Sequence, residues 1–531
     1  MSRRKPKTVY WQEAPLPRQQ LVLIPQSLEA LIPPDHPVRL VDEILDRLDW
    51  TPYEAKYHGR RGQPPIHPAV LAKVLLFAML RRVRSSRQIE YELKHSIDFM
   101  WLASGRRIDH TTLSKFRRQH ADALRDIFRQ MVKLAIDLGV AKLSELCIDG
   151  TRVLADSNRY QTWTTDRLER ALAELDRQWV EALANLEATD VFEEDLFGDE
   201  HPADKLPANV ADLQSRREQL AELQKQTQAM DETRKKNGSK GPAQLPKTDT
   251  DARILPNKEG GYAANFTPMA AVETGGGLIV HCDVLIGNVE HDQLPTIIDA
   301  VESDFATDVD RVLVDSAYTT GENLTAAEAR EVEMIGPLAE TQAENNPAIR
   351  FDPTQPVADE DLDRLPINPQ TKRFDKSAFV YDEASDQYFC PAGKPLPHRT
   401  TEHTTHGDGK PVVRSVYTCR DCAGCPLAEL CRLKPNSPRG REIMHDEHEA
   451  ARRRHRQRMK TPEAQAGRNR RQHFGERPFA VIKACFALRR FLLRGIEGVQ
   501  QEWRWASTAF NLKKLITCLA TLRASGAAIP G

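Results

Sequence analysis

The sequence predicts a mixed α/β chain of several domains, and three observations carry that reading. Short apolar runs that end in an aspartate alternate with helical segments in the middle of the chain. A purely helical pattern precedes them, and two inserts of contrasting composition interrupt them. At 531 residues the chain can bury several cores, so two to four domains are expected.

The helical pattern comes first. Asp35-His36-Pro37-Val38 starts a helix, with a capping residue just before a proline and Val38, Val41, Ile44, Leu45 and Leu48 at helical spacing. After the turn-rich stretch Gly59 to Pro68, an apolar helix runs from Ala69 to about Arg81. Ser85-Ser86-Arg87-Gln88-Ile89-Glu90 has the pattern of a capping box, and Asp109-His110-Thr111-Thr112 opens a further helix. That helix turns Thr111, Ser114, Lys115, Arg117 and Arg118 outward and Leu113 and Phe116 inward, which suits a major-groove reader. Residues 1–135 are therefore expected to form an all-α, helix-turn-helix-like DNA-binding domain, although basic exposed helix faces are common.

Strand signals follow. Glu145-Leu146-Cys147-Ile148-Asp149-Gly150 is a short apolar strand ending in an acid; Phe266 to Glu273 and Leu278 to Leu285, joined through Gly275-Gly276-Gly277, read as a hairpin. His291 to Val301 reads as a helix, Arg311-Val312-Leu313-Val314-Asp315 as a second strand ending in an acid, Glu322 to Glu331 as a helix and Glu333 to Leu338 as a strand. Residues 140–160, 250–340 and 460–525 are expected to make one mixed α/β core. Inserted at 161–249 is a helical hairpin: amphipathic segments 163–188 (Leu168, Leu172, Leu175, Trp179, Leu183, Leu186) and 209–234 (Leu213, Leu220, Leu223), then a flexible link from Asn237 to Pro246. Trp503, Trp505, Phe510, Leu512 and Leu515 are expected to pack the last helix.

The formal net charge of −1 hides a segregation of charge. Residues 187–204 hold eight acids and no Lys or Arg, whereas residues 450–495 hold fourteen Lys/Arg against Glu463 and Glu476. That asymmetry predicts a polyanion-binding face and a separate solvated loop. Within the basic segment Glu476 precedes Lys483 by seven residues, about two helical turns, on one stripe. The pair reads either as a metal carboxylate inside a phosphate-binding surface or as a solvated ion pair. The basic start, Met1 to Lys7, lacks a following apolar stretch, and the longest apolar run, Val74 to Leu80, is seven residues, so neither signal peptide nor membrane span is expected. The expected compartment is the cytoplasm, with nucleoid association when bound to DNA.

Residues 341–459 form a Cys-rich insertion. Cys419-x2-Cys422-x2-Cys425-x5-Cys431, with Cys390 upstream, offers five thiols for a tetrahedral zinc, taken as Cys419, Cys422, Cys425 and either Cys390 or Cys431. The run also begins like a ferredoxin-type iron–sulfur motif, but its fourth spacing is wrong. Cys147, Cys282, Cys485 and Cys518 lie in apolar runs and are expected to pack. For chemistry, phosphodiester transfer gains most from two divalent ions, and Mg²⁺ or Mn²⁺ takes carboxylate oxygens. Asp149, Asp315 and Glu476 could supply them, with Asp156 as runner-up for the first position.

Taken together, Cys147-Ile148-Asp149-Gly150-Thr151, Val312-Leu313-Val314-Asp315-Ser316-Ala317-Tyr318, Glu476-Arg477-Pro478-Phe479 through Lys483, Arg489-Arg490-Phe491-Leu492-Leu493-Arg494-Gly495 and Ala509-Phe510-Asn511-Leu512-Lys513-Lys514-Leu515 make the chain resemble the DDE transposases of bacterial insertion sequences. Arg84-Ser85-Ser86-Arg87-Gln88-Ile89 resembles their helical domain. The resemblance implies a ribonuclease-H-like mixed sheet in which Asp149, Asp315 and Glu476 bind Mg²⁺, water attacks the element ends, and the freed 3′ hydroxyl attacks target DNA. Lys483 and Arg471 would contact phosphate, within a DNA-binding set completed by Arg489, Arg490, Arg494, Lys115, Arg117 and Arg118. Many relatives carry a tyrosine about eight residues before the glutamate, where this chain has Arg468. The partner implied is double-stranded DNA, both element ends and target, bound by a homodimer. A catalytically silent DNA-binding repressor, descended from such an enzyme, is the rival reading.

Overall fold

Two His-Pro pairs open the first long helices. The Nδ1 atoms of His36 and His67 each accept a hydrogen bond from the backbone N–H two residues on, at 3.2 Å. Pro37 and Pro68 fill first-turn positions whose N–H would have no helical partner. The helices Pro37–Asp46 and Pro68–Leu80 follow. Helix Ser86–His95 also forms, but Ser85 makes no side-chain cap bond; Glu90, further along, accepts from the His110 backbone N–H and from Lys94. Asp109 does cap its helix, His110–Arg118, through the Thr112 N–H at 2.8 Å.

The structure is a computed structural model that describes residues 27–55, 57, 65–197, 208–236, 238–257, 260–338, 346–405, 411–435 and 438–524. Met1 to Lys7, most of the turn-rich stretch after Gly59, Asn237 and the side chains of the acidic run 187–204 lie outside the described residues.

The sheet explains where the acids go. Its main strands are β1 (Glu145–Gly150), β2 (Tyr262–Glu273), β3 (Ile279–Leu285), β4 (Arg311–Leu313) and β5 (Glu333–Ile335). β1, β2 and β3 run antiparallel, while β4 and β5 run parallel to β1, in the spatial order β3-β2-β1-β4-β5. That is the ribonuclease-H-like arrangement. The short strands Val153–Leu154 and Arg253–Pro256 extend it along β2. Near-continuous burial of β1 and β2 fits a sheet covered on both faces, here by helices.

The C-terminal helix, Ile496–Ala524, is the axle of the molecule. Trp503 donates its indole N–H to the Met269 carbonyl and Trp505 to that of Arg117, so both tryptophans, with Phe510, Leu512 and Leu515, pack as expected. Asn511 exchanges two hydrogen bonds with the backbone of Ile279 in β3. One continuous hydrophobic core joins the N-terminal helices to the sheet.

The inserts have cores of their own. Helices Thr165–Phe197 and Ala208–Lys236 pair through Leu168, Leu175 and Leu220. Residues 380–446 make a five-stranded antiparallel meander, unforeseen in the sequence because its strands lack clean alternation, around Leu365, Phe374, Tyr388, Leu396, Tyr417 and Ile443. Among the described residues no helix is long and apolar enough to cross a membrane.

Candidate active site

Register brings the two aspartates together. β1 and β4 are parallel neighbours with Cys147 opposite Leu313, so two residues further on Asp149 and Asp315 stand level at adjacent strand ends, pointing to one face. The Arg471 guanidinium sits between them: one of its nitrogens lies 3.0 Å from Asp149 Oδ2 and 3.9 Å from Asp315 Oδ2. Both distances run to the same atom, so the two carboxylate oxygens are at most 6.9 Å apart, the two distances laid end to end. Asp315 also accepts from the Ala317 N–H at 2.8 Å, which fixes the turn that follows β4.

Arg471 belongs to helix Pro462–Cys485, which carries Glu476 and Lys483. Glycines let this helix lie on the sheet. A Cβ at Gly475 would stand 3.1 Å from Asp149 Oδ2, and one at Gly467 would press on Ile335 and Leu313. Gly467, Arg471 and Gly475 are four residues apart, a stripe facing the strand ends. Arg470, on the flank, forks onto Glu145, which also meets Arg311, and Arg311 meets Glu333. Those ion pairs fix the helix against β1, β4 and β5. Glu476 follows Gly475 directly and is exposed. Two turns on, Lys483 Nζ donates to Thr151 Oγ1 at 2.6 Å, just past the end of β1.

Several expected roles change. Arg471, expected on phosphate, lies on the aspartates, because two carboxylates at one site draw the nearest cation. Arg117, expected outward, is turned inward: its guanidinium donates to the Arg84 carbonyl at 2.8 Å, and burial lowers its pKa. It helps seal the junction where Arg84 donates to the carbonyls of Ala487 and Arg490 and to the carboxylate of Glu502. Lys115 and Arg118 remain exposed. Arg489 and Arg490 are exposed on a segment pinned to Leu154, and Arg494 pairs with Asp156 at 2.8 Å. Cys147 and Cys282 are buried as expected, Cys518 partly, whereas Cys485 is exposed at its helix end.

Among the described residues no group of three or more His, Cys, Asp or Glu side chains stands at metal-holding separation. The five clustered cysteines nevertheless line one cavity of about 20 Å³, with Phe374, Leu427 and Arg441 in its wall. Burial pushes the thiols of Cys419 and Cys431 up to about 12 and raises that of Cys390. Neighbouring thiols add to each shift. The cavity admits about one water-sized sphere.

Two stretches of the chain match known families. Residues 389–516 match the family described as Transposase DDE domain, and residues 26–119 the one described as Transposase domain (DUF772). Among solved structures the chain is similar to a piggyBac transposase seen by cryo-EM in a synaptic complex with hairpin DNA, with 9% identity over 93% of this chain and 76% of that one. The TM-score is 0.31, too low to bear on the site. No curated protein matches.

Proposed function

Because this chain belongs to the DDE transposases of insertion-sequence type, we propose that it cleaves the ends of its element and joins the 3′ hydroxyls to target DNA, with Asp149, Asp315 and Glu476 as the metal-binding carboxylates. The observation that carries the reading is the shared arginine nitrogen: Asp149 and Asp315 converge on one cation from adjacent strand ends. The donor set is all oxygen, which suits Mg²⁺ or Mn²⁺ rather than zinc. When bound, such ions activate the attacking oxygen and stabilise the leaving one.

The chain's own residues do the rest. Arg471, now neutralising the aspartates, would turn to phosphate as the ions take its place. Lys483, Arg489, Arg490 and Arg494 follow one another past the end of β1, a cationic track leading from Asp149. That track would hold the backbone of double-stranded DNA. Of the N-terminal cations expected on DNA, Lys115 and Arg118 are exposed. A homodimer would hold both ends at once.

The test uses labelled linear DNA bearing the element's ends, with and without Mg²⁺. Wild-type protein should nick and join it. Asp149→Asn, Asp315→Asn and Glu476→Gln should each abolish cleavage yet bind as well or more tightly, because losing a carboxylate relieves repulsion of phosphate. Wild-type protein that shifts the DNA and never nicks it would establish the repressor reading instead, and cutting without joining would mean a plain nuclease.

A further inference from the structure

A cavity of about 520 Å³ opens beside the first residues of β2, away from both the carboxylates and the thiols. Clefts that hold a small ligand run to about 300–1,000 Å³, so a single nucleotide has room there. Ala263 and Ala264 of β2 line it, small side chains that leave the space open, and so do Arg159, Arg490 and Arg494 against one carboxylate, Asp156. Asp156 is taken up by Arg494 at 2.8 Å, so Arg159 and Arg490 leave the wall cationic. The segment bearing the last two arginines is fixed. Phe491 donates its backbone N–H to the Leu154 carbonyl at 2.8 Å, Leu154 donates to that of Arg489 at 3.2 Å, and the Arg84 guanidinium donates to that of Arg490 at 2.7 Å. A backbone held in advance has less freedom to lose on binding.

Aromatic rings stand beside the same arginine. Arg159 lies over the Tyr160 ring, 4.5 Å from its centroid, and donates to the Tyr160 hydroxyl at 2.6 Å and to the Tyr262 carbonyl at 2.7 Å. Both tyrosines are nonetheless open to solvent, Tyr160 at 73% and Tyr262 at 59%. Cations interleaved with exposed rings are how proteins hold single-stranded nucleic acid: the cations follow the phosphates while the bases stack on rings and guanidinium planes. In a double helix the bases already stack on one another and offer no face to Tyr160. The position agrees with a strand that passes the carboxylates. Asp149 stands opposite Ala270 of β2, and Ala264 lies six residues back along that strand. At about 3.3 Å per residue the cavity is about 20 Å from the aspartate, several nucleotides away.

We propose that this cavity is a subsite for one unpaired nucleotide of single-stranded DNA, its base stacked on Tyr160 and its phosphate held by Arg490. The proposal rests on the DNA-processing reading above. It is tested on the full chain without divalent ions, by fluorescence anisotropy with three probes: a labelled oligothymidylate, an abasic oligomer of the same length and a blunt duplex. Tyr160→Ala should weaken oligothymidylate binding by at least about fivefold, the lower end for one stacked base, and leave duplex binding unchanged. Tyr160→Phe keeps the ring and should bind like wild type. Wild-type affinity for oligothymidylate in Tyr160→Ala, or an equal loss on the duplex, would overturn the proposal. Wild-type protein gives a check that needs no variant: it should prefer oligothymidylate to the abasic oligomer by about the same factor, and equal affinity for the two would remove the base from the site. A chain that nicks element ends in Mg²⁺ but ignores oligothymidylate loses this subsite and keeps the transposase reading, whereas one that binds no DNA at all loses both.

Discussion

The carboxylate site and the thiol site of this molecule are assembled in opposite ways. Asp149, Asp315 and Glu476 are separated by 166 and 161 residues, and Asp149 and Asp315 meet only because β1 and β4 are neighbours and a glycine-striped helix crosses their ends. The five thiols come from one short stretch, residues 390 to 431, around a cavity with its own apolar core. The first site depends on the whole fold; the second depends on its insertion alone. Perturbations should therefore spread differently from the two.

The largest effect should come from Glu502. Its side chain is 2% exposed and accepts from Arg84 and from the backbone N–H groups of Leu492 and Leu493. Removing one partner of a buried ion pair costs about 3–5 kcal/mol, since the other charge is left uncompensated. Glu502→Ala should lower unfolding free energy by that amount when followed by tryptophan fluorescence. All seven tryptophans lie outside residues 341–459, so this signal reports everything but the thiol insertion. Metal bound to the thiols should survive the change. If zinc content falls together with the fluorescence midpoint, the two regions do not fold independently.

The reverse experiment is Cys422→Ser. We expect wild-type protein, purified under reducing conditions without chelator, to hold one zinc by its clustered thiols, and the variant to lose it. Solubility should drop, added Mg²⁺ should not restore it, and the tryptophan unfolding curve should stay within about 0.5 kcal/mol of wild type. Because thiols must shed protons to bind metal, zinc retention should fall as the pH is lowered. Zinc-free wild-type protein in elemental analysis would sink this site.

Much of the catalytic sheet was legible in the sequence, and the reason is local. The run Glu145 to Gly150 matches β1 to the residue, and the triglycine hairpin and both aspartate-terminated runs appear where the apolar pattern places them. What could not be read was long-range. Nothing in the sequence near Arg471 shows that it will fill the gap between two carboxylates, nor that Arg117 will turn inward, since both depend on what packs opposite. The meander of residues 380–446 escaped because its strands, such as Pro395–Thr405, are largely polar.

Lys483 should give the smallest change, and it separates the catalytic helix as a DNA surface from the same helix as scaffold. The amine donates to Thr151 Oγ1, so it is held near the end of β1 and is not loose in solvent. If it also grips a phosphate beside Glu476, Lys483→Ala should weaken DNA binding and reduce the log–log salt slope by up to ~1, the share of one released counterion. Thr151→Val removes the hydroxyl and keeps the cation, so it should leave that slope unchanged. An unaltered salt slope in Lys483→Ala, with a lowered melting temperature, would assign the lysine to holding the helix against β1 and remove it from the DNA track.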